Sequence, residues 1–282
     1  MPIFRYMLGS VHSCIAHSKT GLKIIEKLHN QCEAVIARAH GIDNPTMERT
    51  GEAELICSLN KEIHRFIDVG ANQGEWSASL LAQSPGAHGL LFDPSGSAVS
   101  ALTKRFASNG CLKIIGKAVS DSIGEMEFYE EPAAGETSSL IRAVSNNALA
   151  RKVEITTLDA ELAQAGWDEI DYLKIDAEGF DFYVLRGAKD LFNNRRIRFG
   201  QFEYGEGWRY AGSTLRHAHD WLGNLGYSTY LINKTGISAA NPDRFREYFR
   251  YSNYVFVRSD LKGQFESMVS AAFNSVPARL LV

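Results

Sequence analysis

At 282 residues and 45% hydrophobic content, the chain is long enough to bury one large core with extra terminal elements. Charges of both signs are mixed and sum to −3, which removes the global basic field of a protein that binds nucleic acid or an anionic membrane. Cys14, Cys32, Cys57 and Cys111 are scattered without Cys-x-x-Cys spacing, so neither a disulfide scaffold nor a zinc ribbon is indicated, and a reducing cytoplasm is the simplest setting.

Residues 1–8 form too short an apolar run, too soon broken by polar groups, for a signal peptide. No stretch approaches the roughly 18 apolar residues of a spanning helix, so a soluble protein without a transmembrane segment is expected. Over 21–40, Leu22, Ile25, Leu28, Cys32, Val35, Ile36 and Ala39 follow a helical stripe, which predicts a helix that docks on the domain or on a second copy in a homodimer. Strand signals follow at 65–69, at 89–93 and at 112–121. A hairpin is predicted from 125–129 and 153–157, with a long polar stretch over 132–151 between its arms. Further strands are expected at 170–176, 198–204, 227–232 and 254–258, with helices at 179–191 and 213–225. Strands alternating with helices predict a doubly wound, mostly parallel α/β sheet whose ligands sit at the carboxyl ends of the strands. The expected division is a helical N-terminal extension over 1–60, a main domain over 61–259 and a C-terminal helix over 260–282.

The densest signal is Asp68-Val69-Gly70-Ala71-Asn72-Gln73-Gly74, an acid closing a strand and a glycine turn opening a helix. Asp93, Asp176 and Glu203 close three further apolar runs, so four acids gather on one rim. A dinucleotide fingerprint needs Gly-x-Gly-x-x-Gly, whereas here Gly70 and Gly74 are separated by three residues and no third glycine follows at the right place. The pyrophosphate cradle of a nicotinamide cofactor is therefore missing. S-adenosylmethionine asks for less phosphate chemistry, namely an acid for its ribose diol, a slot for adenine and an anchor for its ammonium and carboxylate.

With Phe92-Asp93-Pro94, Ala118-Val119-Ser120-Asp121, Asp171-Tyr172-Leu173-Lys174-Ile175-Asp176-Ala177-Glu178-Gly179 and Val184-Leu185-Arg186-Gly187-Ala188 in order behind that turn, the chain resembles the FkbM family of S-adenosylmethionine-dependent O-methyltransferases. Phe202-Glu203-Tyr204-Gly205 and Tyr251-Ser252-Asn253-Tyr254 resemble members that accompany glycosyltransferases. The resemblance covers about 66–257 and departs at Asp93, where glutamate is more usual, and at Ala177, where valine or threonine is. It implies a seven-stranded, Rossmann-like class I methyltransferase sheet. It further implies that Asp68 holds the amino end of the methionine moiety, directly or through water, above the backbone of Gly70, Ala71, Asn72 and Gly74. Asp93 would take the ribose hydroxyls, Ala118 and Val119 would flank the adenine, and Asp176 would face the sulfonium.

Methyl transfer requires the nucleophile within about 3 to 3.5 Å of an activated methyl carbon, and a sugar hydroxyl must also lose its proton. Asp176, Glu203 and Lys174 are the candidate catalytic residues. Two arrangements stand open: Asp176, Glu203 and Glu178 holding a hard divalent ion such as magnesium, or the carboxylates acting as base and hydroxyl anchors without one. Trp208, Tyr204 and Tyr210 are either a sugar platform or core filler, and His217 and His219 diverge on their helix. The small, polar run at 135–140 is a candidate for substrate contact. The expected acceptor is a carbohydrate or glycoconjugate hydroxyl; a small natural-product acceptor and a non-catalytic adenosyl-binding subunit are the alternatives.

Overall fold

Sequence runs that are apolar at both odd and even positions have no face to offer water, and such runs become the central strands of a sheet covered on both sides. The strand Ile170–Ile175 is of this kind, buried at every position but Asp171. The computed structural model describes residues 12–39, 50–130, 138–142, 144, 149–245 and 247–275. Its strands are β1 (Arg65–Val69), β2 (His88–Phe92), β3 (Leu112–Ile115), β4 (Ala118–Val119), β5 (Gly124–Glu130), β6 (Leu149–Thr156), β7 (Ile170–Ile175), β8 (Ile197–Tyr204), β9 (Tyr227–Asn233), β10 (Gly236–Ala239) and β11 (Ser252–Arg258).

Eight of these form one sheet in the order β10-β9-β11-β8-β7-β1-β2-β3. The five strands from β8 to β3 are parallel, and β11, β9 and β10 join by antiparallel pairing. The chain leaves β1 toward β2 and β3 and returns to β7 on its other side, so the topological switch point lies between β1 and β7, where sheets of this type open a crevice. Helices on both faces complete a class I, Rossmann-like architecture. On one face, Glu52–Leu59 and Lys262–Ser275 pack Leu55, Ile56, Phe265 and Val269 against Phe66, Tyr172 and Phe199 of the strands. On the other, Leu158–Ala165, Asp181–Arg186 and Leu215–Asn224 supply Leu158, Leu162, Val184, Leu185 and Leu222. The segments outside the family-like stretch thus share a core with it.

Three details differ from the sequence expectation. The sheet has eight strands, not seven: β10 turns back on β9 through Lys234 and Thr235, with Asn233 Oδ1 accepting from the Thr235 N–H at 2.9 Å. This edge strand is too polar and exposed to show in an apolar pattern. The third predicted strand splits, β3 closing the large sheet while β4 joins β6 and β5 in a separate three-stranded sheet that contains the predicted hairpin. The helix predicted over 179–191 is two, Asp181–Arg186 and Lys189–Asn193. The Asp159 carboxylate accepts from Asp190 N and Leu191 N, both at 3.0 Å, and so satisfies the start of the second helix.

The N-terminal helix, Lys19–Ala39, leaves Leu22, Ile25, Leu28 and Val35 exposed. Among the described residues, no helix is long and apolar enough to cross a membrane.

Candidate active site

Gly70 ends β1 at φ +74°, and a Cβ built there would lie 1.8 Å from the Asp176 carbonyl oxygen, so only glycine lets the first and seventh strand ends come together. The turn is then tied off from within. Gly70 N and Ala71 N both donate to the Phe92 carbonyl at 2.9 and 3.0 Å, Gly74 N donates to Ala71 O at 2.7 Å, and Asn72 N donates to Asp93 Oδ2 at 2.9 Å. These N–H groups, expected beneath the ligand, are spent on the fold. Gly74, also at positive φ, lies against Phe106 and Leu102 and packs the following helix, Glu75–Gln83.

Above this turn lies a cavity of about 510 Å3. One end is walled by Gly70, Ala71, Asn72, Asp93, Ala118 and Val119, the other by Glu52, Asp176, Glu178, Glu203, Tyr251 and Asn253, with Lys174 at its floor. The small sheet forms part of the wall: Arg151 of β6 pairs with Glu130 of β5 at 2.7 Å and donates to the Pro94 carbonyl, which fixes the loop after β2. Ser138, Ser139 and Leu140 also line the cavity, and the Ser139 hydroxyl donates to the Glu178 carbonyl at 3.0 Å. Of the predicted contact run, 135–137 lie outside the described residues.

Strand register sorts the polar groups into two tiers. Asp68 of β1 is paired with Lys174 of β7, and Lys174 with Gln201 of β8, so these three side chains share one face. Asp68 is fully buried, one layer beneath the cavity surface it was expected to reach; its Oδ2 accepts from the Ser77 hydroxyl at 2.6 Å. Its Oδ1 has no hydrogen-bond partner and stands 3.6 Å from Lys174 Nζ. Two residues further along the same strands come Asp176 and Glu203, and Asn253 of β11 is paired with Glu203. Lys174 joins the tiers, its ammonium 3.0 Å from Asp176 Oδ2. Burial works against that ammonium, but Asp176 and Asp68 outweigh it and hold its pKa above the ordinary lysine value.

The carboxyls respond differently. Burial pushes Asp93 up to about 6, against the lowering effect of the Ser95 and Asn72 N–H groups that its two oxygens accept. Desolvation, then the neighbouring Asp176, Glu178 and Asp181 carboxylates, hold Glu203 well above the glutamate range. Asp181, missed in the sequence, is fully buried and accepts from Ala177 N at 3.5 Å, Gly179 N at 3.2 Å and Glu203 N at 3.3 Å. It pins the loop that carries Glu178 to the carboxyl end of β8 at Glu203, and burial followed by Asp176 raises it to about 7. Tyr251, also missed, has its phenol raised by burial and then by Glu203, Glu52 and Asp176.

Residues 68–229 match the model of the methyltransferase FkbM domain, more than half of the chain. The chain belongs to the FkbM methyltransferase family. The 2-O-methyltransferase NoeI of Sinorhizobium fredii is 24% identical over 188 residues, which cover 62% of this chain and 76% of that protein. Methyltransferase FkbM from Methylobacillus flagellatus is 15% identical with a TM-score of 0.45, covering 69% of this chain and 44% of that one, so the present chain spans less than half its length. An O-methyltransferase from Bacillus cereus, solved in complex with SAH, is 10% identical with a TM-score of 0.40, over 82% of this chain and 88% of that one.

In this FkbM-family methyltransferase Gly70, Ala71, Asn72, Asp93, Ala118, Val119 and Asp176 line one cavity, while other expected groups lie elsewhere. Trp208 and Tyr204 are core filler, 1% and 0% exposed, and Tyr210 is exposed; none of the three lines the cavity. His217 is exposed and His219 lies on the same distant helix. Among the described residues, no three His, Cys, Asp or Glu side chains are grouped as ligands of one ion, so Asp176, Glu178 and Glu203 do not converge as a ready metal site. The cation next to Asp176 is the chain's own Lys174.

Proposed function

We propose that this FkbM-family methyltransferase uses S-adenosylmethionine to methylate a hydroxyl of a carbohydrate or glycoconjugate. The observation that carries the reading is the two-ended cavity at the switch point, small and acid-tipped on the β1–β2 side and lined by carboxylate, amide and phenol groups on the β7–β8–β11 side. The donor end suits a cationic adenosyl ligand in three ways. Its turn offers no free N–H from Gly70, Ala71, Asn72 or Gly74 to a phosphate. Asp93 keeps further lone pairs for ribose hydroxyls, and the small apolar side chains of Ala118 and Val119 line the same cavity as an apolar surface for adenine. When bound, the donor supplies a methyl carbon made electrophilic by its sulfonium.

The chain's residues divide the remaining work. Asp176, fixed by Lys174, faces the donor's positive end, and Asp68 acts through Lys174 as a positioning residue rather than by direct contact. Glu203 is the general base in this reading: no cation lies within 4.0 Å of it among the described residues, and its raised basicity suits removal of a hydroxyl proton. Asn253 and Tyr251 would hold neighbouring hydroxyls of the acceptor. The match to a 2-O-methyltransferase supports transfer to oxygen.

The test is incubation with methyl-labelled S-adenosylmethionine and a panel of free glycosides, oligosaccharides and phenolic natural products, read by mass spectrometry. Labelled methyl on a sugar oxygen is the expected result. Labelling confined to the phenolic compounds, or none of any acceptor, would overturn the carbohydrate assignment.

A further inference from the structure

Glu52 opens the helix Glu52–Leu59, outside the residues matched by the family model, yet it reaches the cavity. It is 6% exposed. Its Oε2 accepts from the Thr50 hydroxyl at 2.7 Å and its Oε1 from Gln201 Nε2 at 2.5 Å, while Gln201 in turn accepts from the Tyr172 hydroxyl at 2.8 Å. All of these partners are neutral, and among the described residues no Lys, Arg or His nitrogen lies within 4.0 Å of its carboxylate. The nearest positive field is that of Lys174, whose ammonium is already in contact with Asp176 and Asp68. The cavity lining repeats the imbalance, with Glu52, Glu75, Asp93, Asp176, Glu178 and Glu203 against Lys117 and Lys174. A buried carboxylate held by neutral donors at a cavity wall is stabilised by whatever cation enters that cavity.

We propose that Glu52 is the counter-ion of a ligand ammonium group, either the α-ammonium of the methyl donor's methionine half or an amine on the acceptor. This rests on the proposed function and adds to it a binding residue supplied by the segment before the family domain. The hydrogen bonds from Thr50 and Gln201 orient the carboxylate before the ligand arrives, so little rotamer freedom is lost on binding.

The test is calorimetric titration of the wild-type protein and Glu52→Gln with S-adenosylhomocysteine and with its deaminated analogue. Ligand-observed NMR with a 2-amino-2-deoxyglycoside and its parent glycoside forms a second arm. Glutamine keeps the shape and the acceptor for Gln201, and thermal unfolding of both proteins checks the fold. If the donor is the source, Glu52→Gln loses about thirtyfold or more in affinity for S-adenosylhomocysteine, the size for one side of a buried charge pair, and binds the deaminated analogue as the wild type does. If the acceptor is the source, S-adenosylhomocysteine binding is unchanged and only the amino glycoside signal is lost. Equal effects on ligands with and without the amine, or no effect on any, would overturn the inference while leaving the functional reading intact. A wild-type protein that binds no adenosyl ligand would remove both.

Discussion

Lys174 shows how one residue can set the character of the whole site. A buried ammonium is costly unless paired, and here two carboxylates share it, Asp176 at 3.0 Å and Asp68 at 3.6 Å. Asp176 is thereby engaged as a counter-ion, and the proposed function therefore gives the proton-accepting role to Glu203, whose carboxyl is held well above the ordinary range by desolvation and three nearby carboxyl groups. The sign of the resulting pH dependence is fixed. A carboxyl with a raised pKa is protonated below it and cannot accept a proton, so turnover climbs as pH rises through that value. Glu203→Gln should bind S-adenosylhomocysteine as the wild type does, lose about 100- to 10,000-fold in turnover, and lose the rising limb of the pH profile. A variant with normal turnover and an unchanged profile would remove Glu203 from the chemistry.

Among elements, the turn from β1 into Glu75–Gln83 matters most, because Gly70 brings the ends of β1 and β7 into contact. Gly70→Ala would force a left-handed backbone on alanine, about 1–3 kcal/mol of strain, and would drive its methyl into the Asp176 carbonyl. The expected outcome is a lower unfolding midpoint together with weaker adenosyl binding, checked by thermal denaturation and calorimetry; unchanged values for both would show that the strand ends need no such approach. This turn was legible in the sequence because glycine spacing and a strand-ending acid are local signals. The partner acids Asp93, Asp176 and Glu203 were legible for the same reason, and all three line one cavity. Glu52, Tyr251 and Asp181 were not. Glu52 reads as an ordinary acid in a first helical turn, and Tyr251 stands in a family-like motif that gives it no role at the site. Asp181 looks like a helix-start residue, although one of its three backbone hydrogen bonds, from Glu203 N, reaches across to β8. Each depends on contacts between segments far apart in the chain. The depth of Asp68 was hidden too, since strand alternation gives the face a side chain takes and not the layer that covers it.

For the molecule as a whole, elements outside the family match complete the site and its support. Glu52–Leu59 and Lys262–Ser275 close one face of the sheet, with Phe265 fully buried against Phe199 at a ring separation of 5.7 Å. The antiparallel strand β11, outside the match, brings Asn253 beside Glu203, while within the match the small sheet of β4, β6 and β5 walls the cavity at Ala118, Val119 and Phe128. On the proposed function this assembly holds a cationic adenosyl ligand, and the N–H groups of Gly70, Ala71, Asn72 and Gly74 leave no cradle for a pyrophosphate. Calorimetric titration of the full chain with S-adenosylhomocysteine and, separately, with NAD tests it most directly. Micromolar binding of S-adenosylhomocysteine with no heat from NAD is the predicted result; NAD binding as tightly, or no binding of S-adenosylhomocysteine, would contradict it.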